Sequence, residues 1–137
     1  MPAEPSAPLI LAIEDDAAIR AVYAELLTEE GFRVVSWGAI PAEGPAAVAA
    51  LAPDLVILDL VIGQQPAGWA LLAALHADPA TTHIPTLVVT AAGPLARDHA
   101  AELDAWGCGV LLKPFDLDEF VAAVRDCLSP GRNRAAS

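Results

Sequence analysis

The sequence is poor in the residue types that mark several common protein classes. Its two cysteines, Cys108 and Cys127, form no CxxC pair and have no nearby histidine pair, so neither a zinc site nor a disulfide framework is indicated. Seven basic residues stand against 18 acidic ones, and the net charge of -11 disfavours direct binding to nucleic acid or to an anionic membrane. No apolar run approaches the roughly 20 residues of a membrane span. We therefore expect a cytoplasmic protein without a direct nucleic-acid or membrane partner.

The length of 137 residues suits a single domain that can bury its own core. We predict an N-terminal extension over residues 1–8, the domain over 9–129 and a flexible C-terminal tail over 130–137. We do not expect a second, output domain.

Short apolar runs alternate with helical patterns along the chain. Buried strands are predicted at residues 9–13, 55–58, 86–89 and 110–112, with a less buried strand at 32–37. This alternation favours an α/β fold in which helices cover both faces of a parallel sheet.

Capping residues and proline predict where the helices lie. Asp16 can cap a first helix that ends before Gly31, and a weak helix is predicted within 41–52. A third helix is expected over about 68–77, and a fourth begins at Gly93 and Pro94. Asp116 and Glu119 predict a capped last helix that ends before Pro130.

Polar residues appear where the buried strands end, namely Glu14 with Asp15, then Asp59, Thr90 and Lys113. Because ligands of open parallel sheets bind beyond the carboxyl ends of the strands, we expect these side chains to meet. Three close carboxylates repel one another, by roughly 4 kcal/mol for a pair at about 4 Å and an effective dielectric near 20. A hard cation such as Mg²⁺ would offset this repulsion.

A bound cation would also make Asp59 a usable nucleophile toward a phosphoryl group. The Thr90 hydroxyl can donate to one phosphoryl oxygen, and the Lys113 ammonium can pair with another. The pattern thus predicts a phosphorylatable aspartate.

Four segments make the sequence similar to the response-regulator receiver domains of two-component signalling. They are LILAIEDDAAIR, DLVILDL, VVTA and LLKPF, and the resemblance runs from about Leu9 to Leu128. It implies a three-layer, doubly wound sheet of five parallel strands, flavodoxin-like or CheY-like, with strand order 2-1-3-4-5.

The resemblance also implies a role for each site residue. Asp59 would be the phosphoacceptor, and Thr90, Ala91 and Lys113 would surround the phosphoryl group. The ligands of Mg²⁺ (or Mn²⁺) would be Asp15, Asp59, the Val61 backbone carbonyl and, through water, Glu14. The Lys113–Pro114 peptide bond is expected to be cis.

Several positions depart from the family pattern. Val110 stands where receivers commonly carry an aromatic ring that turns inward when the threonine moves. The loop VIGQQPAG after Asp59 lacks the usual Met-Pro and Asp-Gly elements. His76, His83 and His99 are predicted to be scattered surface residues, whereas Trp37, Trp69 and Trp106 are predicted to pack.

The favoured function is a single-domain response regulator that accepts a phosphoryl group from a sensor histidine kinase or a histidine phosphotransfer protein. It would not be an enzyme beyond its own phosphorylation and dephosphorylation, and it would be a monomer or a phosphorylation-linked dimer. One alternative is an interaction module of the same fold that works without phosphate. The other, a phosphatase of the haloacid dehalogenase type, needs a second aspartate where this chain has Val61.

Overall fold

The computed structural model describes residues 6–129, which form a parallel sheet covered by helices. The strands are β1 (Leu9–Ile13), β2 (Arg33–Trp37), β3 (Leu55–Leu58), β4 (Thr86–Thr90) and β5 (Gly109–Leu112). The helices are α1 (Ala17–Glu29), α2 (Pro45–Leu51), α3 (Ala67–Ala77), α4 (Gly93–Asp98), α5 (Ala100–Ala105) and α6 (Leu117–Leu128). The predicted tail, 130–137, lies outside the described residues.

The five strands are all parallel and lie in the order β2-β1-β3-β4-β5, which confirms the predicted fold class. Ile13 pairs with Leu58, and Thr90 pairs with Leu112. These registers bring the carboxyl ends of β1, β3, β4 and β5 to one edge of the sheet. The residues that follow those strands are therefore neighbours in space.

Alternate residues of the strands pack into two separate hydrophobic cores, one on each face of the sheet. In β3, Val56 and Leu58 join the core under α2, α3, α4 and α5, while Leu55 and Ile57 join the core under α1 and α6. All four residues are at most 1% exposed. Burial on both faces explains why these strands read as unbroken apolar runs.

The predicted caps of α1 are confirmed. The Asp16 side chain accepts from the backbone N–H groups of Ala18 and Ile19, at 2.9 and 3.1 Å. Gly31 follows the helix with a φ of +93°, a conformation that glycine adopts without a Cβ clash. At α6, the Glu119 carboxylate accepts from the Asp116 N–H at 3.1 Å, as the predicted capping box requires.

The predicted fourth helix is divided into two. Its chain leaves helical geometry at His99, whose φ of -111° and ψ of 20° separate α4 from α5. The His99 ring stacks on Trp69 of α3 at 3.8 Å between centroids, and its Nδ1 lies 2.6 Å from Glu102 Oε2. These contacts hold the residue at which the helix is broken. Within residues 6–129 no helix is long and apolar enough to cross a membrane.

Candidate functional site

The strand-end residues meet at one edge of the sheet, as the sequence predicts. Asp59 follows β3 and Glu14 follows β1, and the register places them side by side. Lys113 follows β5, and its backbone N–H donates to the Thr90 carbonyl at 2.9 Å. Four chain segments that are distant in sequence thus contribute to a single polar cluster.

Asp59 lies at the centre of this cluster and is 8% exposed. Its Oδ1 accepts from the Thr90 hydroxyl at 2.7 Å and from the Val61 N–H at 3.1 Å. Its Oδ2 accepts from Lys113 Nζ at 3.0 Å. One carboxylate oxygen is therefore held by two neutral donors, and the other faces the ammonium group.

Lys113 also binds Glu14, whose Oε1 lies 2.5 Å from Nζ. Burial raises the pKa of Glu14, which is 2% exposed, and the hydrogen bond from Lys113 opposes this shift. For Lys113, burial lowers the pKa, but the hydrogen bonds to Glu14 and Asp59 outweigh it and raise the pKa overall. Sequence reasoning expected repulsion among carboxylates that a metal must relieve. The structure instead places a lysine ammonium between two of them.

Asp15 is exposed and, unlike Glu14 and Asp59, does not bind Lys113. Its Oδ2 accepts from the Gly63 N–H at 2.8 Å, and this hydrogen bond lowers the pKa of Asp15. Gly63 and Gln64 have φ values of 60° and 63°, so the loop after Asp59 turns through two left-handed residues. The Ile62 N–H donates to the Gln65 carbonyl at 2.9 Å across that turn. The loop after Asp59 thereby places the Gly63 N–H against the Asp15 carboxylate.

The predicted metal ligands have suitable chemistry but are not grouped as a ready-made site. Among residues 6–129, no three His, Cys, Asp or Glu side chains are grouped closely enough to hold a metal ion. Glu14 and Asp59 engage Lys113, and Asp15 engages Gly63. An all-oxygen set of Asp15, Asp59 and a loop carbonyl is nevertheless what Mg²⁺ prefers. The metal assignment, including the Val61 carbonyl, stays a prediction.

The remaining predicted positions lie around Asp59. Thr90 is fully buried, and its Oγ accepts from the Ala92 N–H at 3.1 Å while donating to Asp59. Ala91 is exposed, and its side chain is a single methyl group. The Lys113–Pro114 peptide bond is cis, as the resemblance implies.

Sequence reasoning missed Gly68, near the start of α3. A Cβ at this position would lie 1.8 Å from the carbonyl oxygen of Asp59, so no other residue fits without moving the backbone. The next residue, Trp69, donates its N–H to the Leu60 carbonyl at 3.1 Å. An isolated glycine within a helical pattern is the signal that could have indicated this close approach.

Tyr23 of α1 is a further residue near the site. It is 2% exposed and stacks on Phe120 at 4.7 Å between ring centroids. Its hydroxyl is buried without a hydrogen-bond partner among the described residues. Burial, followed by the negative charges of Glu14 and Asp59, raises the pKa of Tyr23. The charges of Glu14 and Asp59 thus act on the buried phenol.

The histidine prediction was only partly correct. His83 is exposed, but His76 and His99 join Trp69 and Trp106 in a ring stack that connects α3 to α4 and α5. The tryptophans pack, as predicted. Helical spacing places Trp69 and His76 on one face of α3, but their stacking partners are 30 or more residues away, so sequence alone could not pair them.

Val110 lies in β5, beside α4 and α5, and is 45% exposed. It lines an apolar groove of about 340 Å³ together with Leu103 and Leu112. Its side chain carries no ring that could turn toward Thr90. An aromatic ring at this position therefore cannot relay a movement of Thr90 in this protein.

Comparison with known proteins gives one consistent family. Residues 10–125 match the family model described as "Response regulator receiver domain". The chain is 35% identical over 121 residues to the DNA-binding dual master transcriptional regulator RpaA of Synechocystis, covering 88% of this chain and 49% of that protein. It is 37% identical over 119 residues to the transcriptional regulatory protein TcrA of Mycobacterium tuberculosis, covering 85% and 44%.

The chain thus spans about half the length of these curated relatives. Because they are named as transcriptional regulators, the comparisons do not support the expectation that nucleic acid plays no part. Among solved structures, the non-phosphorylated HemR receiver domain of Leptospira biflexa superposes with a TM-score of 0.69 at 29% identity, covering 89% of this chain and 94% of that one. A CheY-like receiver domain protein of Methanospirillum hungatei gives 0.77 at 22%, covering 90% and 94%, which supports the fold.

Proposed function

Because the chain belongs to the response-regulator receiver family of two-component signalling, we propose that Asp59 is its phosphoacceptor and that a phosphohistidine is the donor. The observation that carries the proposal is the set of donors on Asp59. Thr90 and Val61 hold Oδ1, so Oδ2, which faces Lys113, is the oxygen better placed to attack phosphorus. No other described carboxylate lies between a buried hydroxyl and a half-buried ammonium.

In the transfer, a bond forms between Asp59 Oδ2 and phosphorus while the bond from phosphorus to the histidine nitrogen breaks. The electron pair of the broken bond returns to the imidazole, which can then take up a proton. Lys113 turns from the carboxylate to a phosphoryl oxygen, and the Thr90 hydroxyl can donate to another. Ala91 leaves room for the group because its side chain is a single methyl.

Mg²⁺ or Mn²⁺ would be held by Asp15, Asp59 and the Val61 carbonyl, with Glu14 acting through water. The cation would neutralise charge on the phosphoryl oxygens. Asp15 is ready for this role because it is exposed and the Gly63 N–H already stabilises its ionised form. Lys113 must release Glu14 if that carboxylate is to face a hydrated cation.

The test is incubation with a small-molecule phosphodonor and Mg²⁺, followed by intact-mass measurement and peptide mapping. One phosphoryl group is expected, on the peptide that contains Asp59, and Asp59→Asn should abolish it. Asp54→Asn is the matched control, because Asp54 lies at the opposite end of β3 and accepts from the Leu9 N–H at 2.7 Å. Undiminished labelling in Asp59→Asn would refute the assignment.

A second candidate is an interaction module that needs no phosphate. It is favoured by the Lys113 ammonium, which compensates Glu14 and Asp59 without a metal, and by the missing ring at Val110. If the phosphodonor leaves the protein unlabelled while a partner still binds, this candidate replaces the first. A phosphatase of the haloacid dehalogenase type is disfavoured, because Val61 supplies no acid. The family is a non-enzymatic signalling family.

We further propose that the domain, over 9–129, works in the cytoplasm with a sensor histidine kinase or a phosphotransfer protein as donor. Its downstream target would be a protein, contacted by a monomer or by a phosphorylation-linked dimer. The acidic charge of the chain supports a protein partner, not a nucleic acid, for these residues. Phosphotransfer from candidate kinases would identify the donor.

A further inference from the structure

A basic side chain other than Lys113 binds the chain segment that carries Glu14 and Asp15. Arg20 lies in the first turn of α1, and its Nη1 donates to the Glu14 backbone carbonyl at 2.7 Å. Its own backbone N–H donates to the Asp16 carbonyl at 3.0 Å. The arginine side chain therefore folds back over the turn that carries Glu14 and Asp15.

Gly38 provides the room for this contact. A Cβ at Gly38 would lie 2.8 Å from Arg20 Nη1, closer than real Cβ atoms come to another atom, so the guanidinium would have to shift from its present position. Gly38 does not have a left-handed φ, so the structure uses its lack of a side chain, not its backbone freedom. It follows Trp37, whose carbonyl accepts from the Glu14 N–H at 3.1 Å.

These contacts fix both polar groups of the Glu14 backbone. The N–H is bound to the end of β2, and the carbonyl is bound to Arg20. The Glu14 carbonyl shares a rigid peptide plane with the Asp15 N–H, so its orientation sets the direction in which Asp15 leaves the strand. The Asp15 side chain, which leaves the strand in that direction, accepts a hydrogen bond from the Gly63 N–H through its carboxylate.

We propose that Arg20, seated against Gly38, is a positioning residue for the metal-binding acids: it orients the Glu14–Asp15 peptide and thereby the Asp15 carboxylate. The inference rests on the proposed function, since it deepens the role of that site. The guanidinium makes a strong, charge-assisted hydrogen bond to the Glu14 carbonyl. Among the described residues it forms no ion pair with a carboxylate, so it does not compete with a cation for Asp15 or Asp59.

The test measures Mg²⁺ affinity by calorimetry for the wild type, Arg20→Met, Gly38→Ala and the double variant. Each single change should weaken Mg²⁺ binding about ten-fold, the lower end for losing a group that orients a metal ligand. Both changes remove the same contact, so the double variant should be no weaker than Arg20→Met. Arg20→Lys should recover part of the affinity, because an ammonium can still donate to the carbonyl.

Arg33→Met is the matched control. Arg33 begins β2 at the opposite edge of the sheet, and its Nε donates to the Ala7 carbonyl at 2.9 Å. Its loss should leave Mg²⁺ affinity unchanged. Wild-type affinity in Arg20→Met, or additive losses in the double variant, would overturn the inference.

A metal-free measurement separates this inference from the proposed function. In ¹⁵N-labelled protein with a chelator, Arg20→Met should shift the amide signals of Asp15 and Gly63 and leave those of the far sheet edge in place. Unchanged signals would refute the positioning role, regardless of the Mg²⁺ affinity measured. If those signals shift but the wild type binds no Mg²⁺, the proposed metal-dependent function fails while the positioning of Asp15 stands.

Discussion

Replacing Lys113 with methionine tests whether its ammonium compensates the buried acids. The change keeps an unbranched apolar stem and removes the charge that bridges Glu14 and Asp59. The three side chains are 18%, 3% and 10% exposed, so solvent can screen the remaining charges only weakly. Removing one partner of a buried pair costs about 3–5 kcal/mol.

Proton uptake by Glu14 limits that cost. A carboxyl with an ordinary pKa of 4.5 requires about 3.4 kcal/mol to be protonated at pH 7, at 1.36 kcal/mol per unit. The loss should therefore be about 2–3 kcal/mol, because some screening remains at the sheet edge. For a domain of this size we expect the melting temperature to fall by about 10 °C.

The loss should also depend on pH, with a sign that follows from Glu14. Its pKa in the folded protein is raised above the unfolded value of 4.5 by burial, so the folded state binds more protons between the two pKa values. Stability from this group is then greatest at low pH and falls as pH rises through that window. Without Lys113 the pKa rises further, so the deficit of the variant should shrink to about 1.4 kcal/mol or less near pH 5.5.

Urea denaturation in the presence of a chelator, at these two pH values, measures both effects. Arg125→Met is the control, since Arg125 pairs with Glu30 at 2.8 Å on an exposed surface where such pairs contribute little. Mg²⁺ should stabilise the Lys113 variant more than the wild type, because no ammonium then competes for Glu14. A stability loss below about 0.5 kcal/mol, or one that is the same at both pH values, would contradict the compensating role.

Three further predictions follow from single structural features. Tyr23→Phe removes a buried hydroxyl without a described partner and should raise the free energy of unfolding by about 1 kcal/mol in urea titrations, whereas a loss would show that the hydroxyl is hydrogen-bonded. Ala52→Gly should stabilise the protein by about 1 kcal/mol, because Ala52 ends α2 with a φ of 53°, while the control Ala50→Gly within that helix should destabilise it by a similar amount. Adding beryllofluoride and Mg²⁺ should shift NMR signals across 91–106, since Val110 offers no ring to relay the movement of Thr90. Changes confined to the acidic cluster would favour the phosphate-independent module.

The sequence alone predicted the sheet, its helical layers and the residues at the strand ends. Strands buried on both faces must be apolar along their whole length, and polar residues can appear only where the strands stop. The Asp16 cap and the Glu119 capping box join residues only two or three positions apart, so the sequence was enough to predict them. The strand order came from the family resemblance, because hydrophobic periodicity does not say which strands are neighbours.

Only the tertiary structure decided how the strand-end residues compensate one another. Lys113 and Glu14 are 99 residues apart, and nothing local indicates that the ammonium bridges Glu14 and Asp59. The same holds for Arg20 against Gly38, since the contact depends on the distance between α1 and the end of β2. Local patterns determine which face a residue occupies, but hydrogen bonds between elements depend on distances of a few tenths of an ångström, and these are set by how the elements pack.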